Sequence, residues 1–431
     1  MLTKSLNRLI SAPTPTQFRV NHLLRRLISA TVENDKFVVV QPDGSSAPTT
    51  NTTTTTTSQP LKFPSVWLRD NCYCTQCFHP TSKSRKHDWD KFDVNVRVEK
   101  LQTNEQTQQL IIDWSDKHQS VYDLKWLQER AFDDKRRQEY LDDFYRPKPK
   151  HWRGAEFNQI NQIFDFKDVI RSDEALKNWL EALAVYGVAI IRDSPIDKTV
   201  VRQLAERVGF IRRTTYGEEF IVQNKPGAKN VAYLSDPLPL HTDLPYYEYK
   251  PSCNILHCMV QSQSQGGSNL LVDGFHIADR MKAEHPEDYK ILAETLVDWN
   301  DIGSEEGKHF HNIWRAPVIC LDNDGNYTRI NHSIPQRDSH FSVALDAVIP
   351  WYEAYAKFVR LAREDAHSFK TKAGDVLTFN NIRLLHGRTG YDDTDNNVRH
   401  IVGAYLDWDI IYSKLRVLKS SAAASSSSCS S

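Results

Sequence analysis

The sequence lacks several features that would assign it to a common class of protein at once. It has no apolar run near the roughly 20 residues that a membrane helix needs, and no apolar segment of a secretory signal. It has no basic stripe either, because 54 Lys and Arg are balanced by 55 Asp and Glu. Nucleic-acid binding and a membrane span are therefore not expected, and a soluble enzyme or small-molecule-binding protein remains.

Cysteine is also scarce, with seven in 431 residues. Cys72, Cys74 and Cys77 lie within six residues and the other four are scattered, which does not suit a disulfide framework. The C-x-C-x-x-C spacing instead predicts three ligands of a closed, tetrahedral zinc site in a reducing compartment. Spacing alone leaves three histidines as candidates for the fourth ligand: His79, His87 and His118.

Three segments have compositions that do not suit a packed core. Residues 1–30 are basic and contain Ser, and the first acidic residue is Glu33. That composition is typical of a mitochondrial transit segment, so we expect a mitochondrial protein, with the cytoplasm as the alternative. Residues 41–60 are a polar, Thr-rich tract and residues 419–431 are Ser-rich. We predict a disordered insertion and a disordered tail, respectively.

Two folded regions remain between these segments. Residues 31–144 contain short β-branched runs, which predict a small β-rich domain with FPSVWLRD (63–70) as one of its strands. Residues 145–160 have the Pro-rich and basic composition of a linker. Residues 161–418 open with an amphipathic helix that ends at Gly187 and continue mostly as short strands. This order predicts a mainly β sandwich or barrel with flanking helices.

An H-x-D motif, His241-Thr242-Asp243, is the first candidate catalytic feature. Residues two apart in a strand point to the same face, so His241 and Asp243 can bind one ion. Their donor atoms are two thirds of the facial triad of non-haem Fe(II) oxygenases. An isolated H-x-D motif is common by chance, so the third ligand matters. His386 follows a strand-like VLTF run, and we expect it to complete the triad.

Arg399 follows His386 by 13 residues, within the alternating run VRHIVGAY. The two-residue period of a strand places Arg399 and Tyr405 on one face. An arginine on the inward face of a barrel needs an anion, and its planar fork is best matched by a carboxylate. We predict that this carboxylate belongs to 2-oxoglutarate, with a structural ion pair as the alternative.

Longer motifs carry a specific resemblance. The stretches HTDLPYYEYKP, TFNNIRLLHGRTGY, GAYLDWDIIYSKLRVL, VWLRDNCYCTQC and IDWSDKH are similar to those of γ-butyrobetaine dioxygenases. The resemblance covers roughly residues 31–418, and trimethyllysine dioxygenases share part of it. It implies a distorted double-stranded β-helix (jelly roll) preceded by a small zinc domain. It also implies Fe(II), O2, 2-oxoglutarate as cosubstrate and ascorbate as reductant. The oligomeric state stays open, with a homodimer as one option.

The resemblance also implies roles for individual residues. The iron ligands are the three predicted above, and His118 becomes the fourth zinc ligand. Arg399 and Asn269 bind 2-oxoglutarate, although Asn269 stands where these enzymes usually carry Ser or Thr. The implied substrate-binding residues are four aromatic side chains that cage a trimethylammonium group and one amide: Tyr216, Phe220, Tyr233, Tyr405 and Asn230.

Three positions depart from the family pattern. Phe220 replaces a tryptophan of the cage, whereas Leu244 replaces a tyrosine and Ser333 an asparagine at the carboxylate end of the substrate. Tyr246 and Tyr247 are alternative candidates for holding that carboxylate. We expect hydroxylation of γ-butyrobetaine to L-carnitine. Trimethyllysine hydroxylation is the first alternative, and a catalytically silent, metal-binding interaction protein is the second.

Overall fold

The computed structural model describes six stretches of the chain: 27–42, 59–223, 235–263, 265–305, 307–392 and 398–428, with the backbone alone at 27–28 and 422–428. The chain divides into two compact units, the first ending at Tyr140 and the second beginning at Leu141. Most of the predicted transit segment and of the Thr-rich insertion lies outside the described residues. The first strand begins at Leu27, so the last four residues of the predicted transit segment are part of it.

The first unit consists of short strands and short helices. Its strands are β1 Leu27–Glu33, β2 Phe37–Pro42, β3 Leu61–Pro64, β4 Phe78–His79, β5 Ser84–Arg85, β6 Val98–Asn104, β7 Gln109–Trp114 and β8 Gln119–Asp123. Its helices are α1 Ser65–Asp70, α2 Leu124–Glu129 and α3 Asp134–Glu139. The strands form two three-stranded antiparallel sheets, β1-β2-β3 and β6-β7-β8, and the hairpin β4-β5. A small β-rich region was predicted here, and the structure agrees.

One local prediction in this unit is wrong, because residues 65–70 form a helix and not a strand. The buried side chains of α1 are Ser65, Leu68 and Arg69. Their spacing of three and four residues is that of one helix face, not the alternation of a strand. Pro64 ends β3, since its nitrogen has no proton to donate to a sheet.

The second unit contains fourteen named strands within the described residues. They are β9 Gln162–Asp165, β10 Val188–Arg192, β11 Glu219–Val222, β12 Leu238–His241, β13 Cys253–Val260, β14 Asn269–Asp273, β15 Val297–Glu305, β16 Lys308–Ala316, β17 Ile319–Leu321, β18 Tyr327–Ile330, β19 His367–Phe369, β20 Val376–Asn380, β21 Leu384–Arg388 and β22 His400–Leu406. Its α-helices are α4 Phe157–Ile160, α5 Phe166–Arg171, α6 Asp173–Tyr186, α7 Val200–Val208, α8 Gly274–Glu284, α9 Pro286–Glu294, α10 Leu345–Glu364 and α11 Trp408–Ser428. A π-helical turn, Tyr140–Tyr145, and a 3-10 turn, Gly154–Glu156, precede α4.

Two sheets dominate this unit. The larger has the order β11-β22-β13-β20-β10-β9 and the smaller the order β12-β21-β14-β19. All neighbours are antiparallel except β9 and β10. Successive strands β12, β13 and β14 alternate between the two sheets, as do β20, β21 and β22. The mainly β architecture with flanking helices is therefore as predicted.

Helices cover the larger sheet through one apolar core. The buried faces of α6 and α7 contribute Leu180 and Leu204, which pack with strand residues such as Ile191 and Val402. As predicted, α6 ends at Gly187, whose φ of 78° lies in the left-handed region that glycine adopts without strain. These contacts hold β13 and β22, two strands of the larger sheet that contribute residues to the site described below.

The predicted disordered tail is corrected in part, because the backbone of α11 stays helical to Ser428. Alanines at 422–424 are the strongest helix formers, which favours continuation of the helix. Lys419, one turn earlier, is 2.5 Å from Asp143 and 3.6 Å from Glu181, and these ion pairs hold the helix at that point. Residues 429–431 lie outside the described residues.

None of the helices within the described stretches combines the length and the apolar character that crossing a membrane requires.

Candidate active site

The three predicted iron ligands come together between two strands of the smaller sheet. His241 ends β12 and lies directly opposite His386 in the antiparallel pair β12–β21, with ring centroids 4.2 Å apart. Asp243 lies beyond the end of β12, so it reaches the histidines from a turn and not from the strand that we predicted. Its Oδ1 is 3.2 Å from His241 Nε2 and 3.5 Å from His386 Nε2.

Hydrogen bonds from three other segments fix the orientation of Asp243. Asn381 Oδ1 accepts from Asp243 N (2.7 Å), and Asn381 Nδ2 donates to Asp243 O (3.0 Å). The second carboxylate oxygen, Oδ2, accepts from Asn254 Nδ2 (2.7 Å) and from the Tyr405 hydroxyl (3.0 Å). Oδ1 is thereby directed toward the two imidazoles. Leu244, the next residue, has a φ of 55°, which is uncommon for a side chain other than glycine.

The pKa shifts of Asp243 and His386 suit a metal ion. Burial alone would raise the pKa of Asp243, but His386 and His241 outweigh it and hold that pKa well below its usual range. Burial lowers the pKa of His386 to about 3. His241 directs Nε2 toward Asp243 because its Nδ1 is 2.8 Å from Pro239 O. An ionised carboxylate and neutral imidazoles are the forms that bind metals, and all three ligand atoms lie within 4.8 Å of one another. The set fits the three-ligand face of a non-haem iron site.

A cavity opens at this set, and two arginines line it. Arg399 precedes β22 and is only 6% exposed, and burial lowers its pKa to about 10, with Arg388 contributing. Its Nε has no hydrogen-bond partner among the described residues. A buried guanidinium group with an unused donor needs an anion, and a carboxylate offers matching geometry. The cavity therefore fits a dicarboxylate such as 2-oxoglutarate.

Arg388 is a cavity residue that the sequence analysis missed. It lies two residues after His386 on β21, so the two-residue period already placed both side chains on one face. Arg388 Nη2 donates to Asp236 O (2.8 Å), and the residue directly opposite on β14 is Asn269. Asn269 also lines the cavity, and its Nδ2 donates to Thr371 Oγ1 (3.3 Å).

Three of the four predicted cage aromatics line the same cavity: Tyr216, Phe220 and Tyr405. The rings of Phe220 and Tyr405 lie 4.9 Å apart at an angle of 31°. Gly403 makes room for this pair, because a Cβ at that position would lie 2.3 Å from Phe220 Cζ. Arg399, Ile401 and Tyr405 all line the cavity, as the predicted alternation of this strand requires.

The remaining predicted substrate residues give a mixed result. Asn230 and Tyr233 lie outside the described residues. Leu244 and Ser333, the two positions that depart from the family pattern, both line the cavity. Ser333 Oγ donates to Gln336 Oε1 (3.1 Å), and Gln336 is a further polar residue of the lining that sequence reasoning missed.

The two tyrosines considered as holders of the substrate carboxylate are not among the residues that line this cavity in the described structure. Tyr246 is fully buried in the core beside α8 and α10. The Tyr247 hydroxyl donates to Thr215 Oγ1 (2.9 Å) and accepts from Thr215 N (2.8 Å). Both side chains are therefore used in packing and loop fixation.

The predicted zinc ligands form a second cluster, in the first unit. His118 Nε2 lies 3.3 Å from the Sγ of Cys72 and 3.5 Å from the Sγ atoms of Cys74 and Cys77. Zn–S bonds of about 2.3 Å and Zn–N bonds of about 2.0–2.1 Å in a tetrahedron place N and S about 3.5 Å apart. The cluster therefore fits a four-coordinate zinc ion.

The surroundings of this cluster distinguish among the candidate histidines. His79 Nδ1 accepts from Ser82 N (3.1 Å), and His87 Nε2 lies 2.9 Å from Asp70 O, so both are engaged elsewhere. Arg69 Nη1 donates to Cys77 Sγ (3.3 Å), which stabilises a thiolate at that position. The described geometry thus favours His118.

A histidine pair and a carboxylate beside a cavity with a buried arginine define an Fe(II)- and 2-oxoglutarate-dependent oxygenase. Comparison with protein families agrees. The family described as Taurine catabolism dioxygenase TauD, TfdA family matches residues 146–405, and the family described as Gamma-butyrobetaine hydroxylase-like, N-terminal, matches residues 53–128. The chain therefore belongs to the TauD, TfdA family of dioxygenases.

Curated relatives make the resemblance more specific. The chain is 37% identical to human gamma-butyrobetaine dioxygenase over 83% of this chain and 91% of that protein. It is 32% identical to gamma-butyrobetaine dioxygenase from Pseudomonas sp. (strain AK-1), over 83% and 90%. Bovine mitochondrial trimethyllysine dioxygenase is 29% identical, over 83% of both chains. The resemblance drawn from the sequence motifs is confirmed.

Proposed function

We propose that the chain hydroxylates γ-butyrobetaine at C3 to form L-carnitine, while 2-oxoglutarate is decarboxylated to succinate. The observation that carries the proposal is one cavity lined by the candidate iron ligands, a buried arginine and aromatic rings. The choice of γ-butyrobetaine as substrate comes from the names of the relatives that are 37% and 32% identical.

In this proposal His241, Asp243 and His386 hold Fe(II), which supplies the activation of O2 when bound. Arg399 and Asn269 bind the distal carboxylate of 2-oxoglutarate, and we add Arg388 because it lies opposite Asn269 in the same wall. The hydrogen bonds from Asn254 and Asn381 keep Asp243 oriented before any ligand arrives. These residues bind and orient, so the reaction partners meet in one geometry.

The aromatic residues hold the cationic end of the substrate. A trimethylammonium group cannot donate a hydrogen bond, and ring faces attract it through cation–π interaction. Tyr216, Phe220 and Tyr405 supply such rings at the cavity, and Tyr233 and Asn230 enter the proposal through the resemblance alone. Fixing the cation determines which C–H bond lies beside the iron, and so determines where hydroxylation occurs.

The same proposal extends to the architecture and the second metal. The alternation of β12 to β14 and of β20 to β22 between two sheets supports a distorted double-stranded β-helix, or jelly roll. The cluster of Cys72, Cys74, Cys77 and His118 supports a structural zinc ion. Four protein ligands leave no open position, so this zinc stabilises the first unit and takes no part in chemistry.

Three further parts of the proposal rest on resemblance and composition. Ascorbate is the reductant, the oligomer is a homodimer, and the location is mitochondrial. Dependence of turnover on ascorbate, light scattering of the purified protein, and import of a reporter fused to residues 1–30 test them separately. Cytoplasmic reporter fluorescence would favour the alternative location.

Trimethyllysine is the second candidate substrate, and a specific observation favours it. Leu244 and Ser333 line the cavity where γ-butyrobetaine dioxygenases carry a tyrosine and an asparagine. Two polar contacts to the carboxylate of γ-butyrobetaine are therefore changed, while the aromatic rings are retained.

Product analysis with purified enzyme, Fe(II), 2-oxoglutarate and each substrate separates these functions. We expect carnitine from γ-butyrobetaine, with one succinate formed for each carnitine. Hydroxytrimethyllysine as the main product would select the second candidate. Absence of iron-dependent succinate formation with either substrate would point to the catalytically silent, metal-binding interaction protein.

A further inference from the structure

Asp301, on strand β15, is a carboxylate that the proposed iron and cosubstrate sites do not use. Its Oδ2 accepts a hydrogen bond from the Tyr216 hydroxyl at 2.7 Å, and its side chain is half-buried. No basic side chain among the described residues forms an ion pair with it. Carboxylates that leave water usually do so with a cationic partner. Asp301 is not among the described residues that line the cavity, but Tyr216, which donates to it, is, so a cation bound in the cavity is the partner to consider.

The hairpin β15–β16 presents one face to Tyr216. Asp301 and Gly303 alternate onto the same face of β15, and Phe310 lies opposite Gly303 on β16. The Phe310 ring is 5.9 Å from the Tyr216 ring at an angle of 73°. A Cβ at Gly303 would lie 2.7 Å from Phe310 Cζ, so glycine lets the phenyl ring cross the strand toward Tyr216. Both a carboxylate and an aromatic edge thus support one ring of the cavity wall.

We propose that Asp301 gives the aromatic cage its negative charge and is a specificity-determining residue for quaternary ammonium substrates. This inference rests on the proposed function and names a new residue for it. A trimethylammonium group exposes only methyl groups, so it needs a carboxylate nearby but not in hydrogen-bond contact. Asp301 meets this need through Tyr216, because a phenol that donates to a carboxylate presents a more electron-rich face.

The substitution in the cage makes this charge more important. Phe220 lines the cavity where the family pattern has a tryptophan, and tryptophan is the stronger cation–π partner. A full negative charge behind the neighbouring ring compensates for the weaker one. Asp301 also discriminates against neutral molecules of the same shape, which ring faces alone would bind through burial of apolar surface.

The test measures charge preference in the variant Asp301→Asn, which keeps an acceptor oxygen for Tyr216 and removes the charge. Binding of γ-butyrobetaine and of its isostere 5,5-dimethylhexanoate, which keeps the carboxylate but has an uncharged tert-butyl group in place of trimethylammonium, is measured calorimetrically on the anaerobic complex of enzyme, Fe(II) and 2-oxoglutarate. We expect the Kd for γ-butyrobetaine to rise on the order of tenfold, a size reduced by the partial exposure of the charge. The Kd for the isostere should not change.

Glu305→Gln is the matched control. Glu305 lies on the same face of β15, four residues or about 13 Å further along. The substitution Glu305→Gln therefore removes an equal charge at a distance from Tyr216. We expect wild-type affinities for both ligands. Tyr216→Phe provides a second route if Asp301→Asn does not fold, since it keeps the ring and removes the hydroxyl that donates to Asp301. It should lower the preference for the cation by a smaller factor.

The outcomes separate this inference from the proposed function. If the wild type forms carnitine but Asp301→Asn keeps its full preference for the cation, Asp301 has no role in charge recognition. Equal weakening of both ligands would show that Asp301 only shapes the pocket, and would also overturn the inference. A wild type that neither binds nor hydroxylates γ-butyrobetaine would instead overturn the proposed function itself.

Discussion

The two candidate metal sites of this chain differ in how many positions they leave open. The cluster in the first unit offers three thiols and an imidazole, which complete a tetrahedron. The cluster in the second unit offers two imidazoles and one carboxylate, which leave about half of an octahedron open. We expect the first site to keep its metal ion with all positions filled and the second to exchange ligands at its open positions. In both sites, some of the ligands are close together in the sequence.

The difference continues in the groups behind the ligands. In the first unit, a charged donor, Arg69, contacts the sulfur of Cys77 directly. In the second unit, uncharged amides of Asn254 and Asn381 hold Asp243, and the charged arginines line the cavity instead. A cationic group therefore contacts a candidate ligand in the first cluster, whereas in the second unit the cationic groups line the cavity.

Removing an iron ligand is the largest perturbation that this comparison predicts. His386→Ala leaves two protein ligands for Fe(II), so we expect succinate formation to fall to background while the zinc content stays at one per chain. The measurement is iron-dependent succinate formation together with elemental analysis. His340→Ala is the control, because that histidine side chain is 89% exposed. Turnover of His386→Ala at the wild-type rate would contradict the proposed iron site.

Arg399→Ala tests the positive charge that faces the cavity. Breaking a buried charge pair costs on the order of 3–5 kcal/mol, which corresponds to a rise of about 100-fold or more in the KM for 2-oxoglutarate. The KM for γ-butyrobetaine should change far less. Arg399→Lys keeps a charge without the planar fork, and we expect an intermediate KM. A KM for 2-oxoglutarate within twofold of the wild type would make Arg399 a structural residue.

Cys74→Ser tests the closed site. We expect loss of bound zinc and a lower melting temperature, with about 4–8 °C lost for each kcal/mol in a unit of this size, because a structural zinc contributes directly to folding. Catalytic turnover at 25 °C should stay within twofold. Cys320→Ser, at a cysteine outside the cluster, should retain the zinc. If the Cys74→Ser variant contained no zinc but had the melting temperature of the wild type, the cluster in the first unit would not be a structural metal site.

Asn254→Ala removes one of the donors to Asp243 Oδ2 and leaves all three ligands in place. Loss of a hydrogen bond to a metal ligand typically lowers metal affinity 10–100-fold, so the iron concentration for half-maximal turnover should rise by that factor. Turnover at saturating iron should fall much less. An unchanged iron titration would show that the Tyr405 hydroxyl and Asn381 suffice.

The smallest expected effect concerns the aromatic rings. Phe220→Trp should tighten binding of γ-butyrobetaine by roughly 1 kcal/mol or less, since indole has the strongest cation–π face. Phe220→Leu should weaken it by a similar amount, and neither variant should alter the KM for 2-oxoglutarate. The Kd of the anaerobic complex is the measurement. Identical affinities of the wild type, Phe220→Trp and Phe220→Leu for γ-butyrobetaine would show that the Phe220 ring contributes packing and no cation–π interaction.

The sequence predicts those parts of the site that depend on short-range spacing. The face shared by Arg399 and Tyr405 and the end of α6 at Gly187 follow from the two-residue period of a strand and from backbone sterics. The H-x-D motif identifies His241 and Asp243 as neighbours in the chain, although Asp243 lies beyond the end of β12. Arg388 follows from the same two-residue rule applied to His386. The cysteine cluster follows from its spacing, because three of its ligands are nearly adjacent in the chain.

Other features could not be predicted because they arise from contacts between distant segments. Asn254 and Asn381 meet Asp243 only after β13 and the β20–β21 turn are in place. Tyr246 and the cavity-lining residue Gln336 look equally plausible as polar groups in the sequence, yet only one is directed into the cavity. The sequence predicts a strand at α1 because six residues are too few to distinguish a helical period from the alternation of a strand.

The pairing of His241 with His386 also sets an order of events during biosynthesis. Domains generally fold as units from the amino terminus while the chain is being made. The cysteines and His118 leave the ribosome early, so the first unit can acquire zinc during translation. β12 cannot meet β21 until nearly the whole chain has emerged. Iron binding at the candidate site therefore requires that β12 and β21 have already paired.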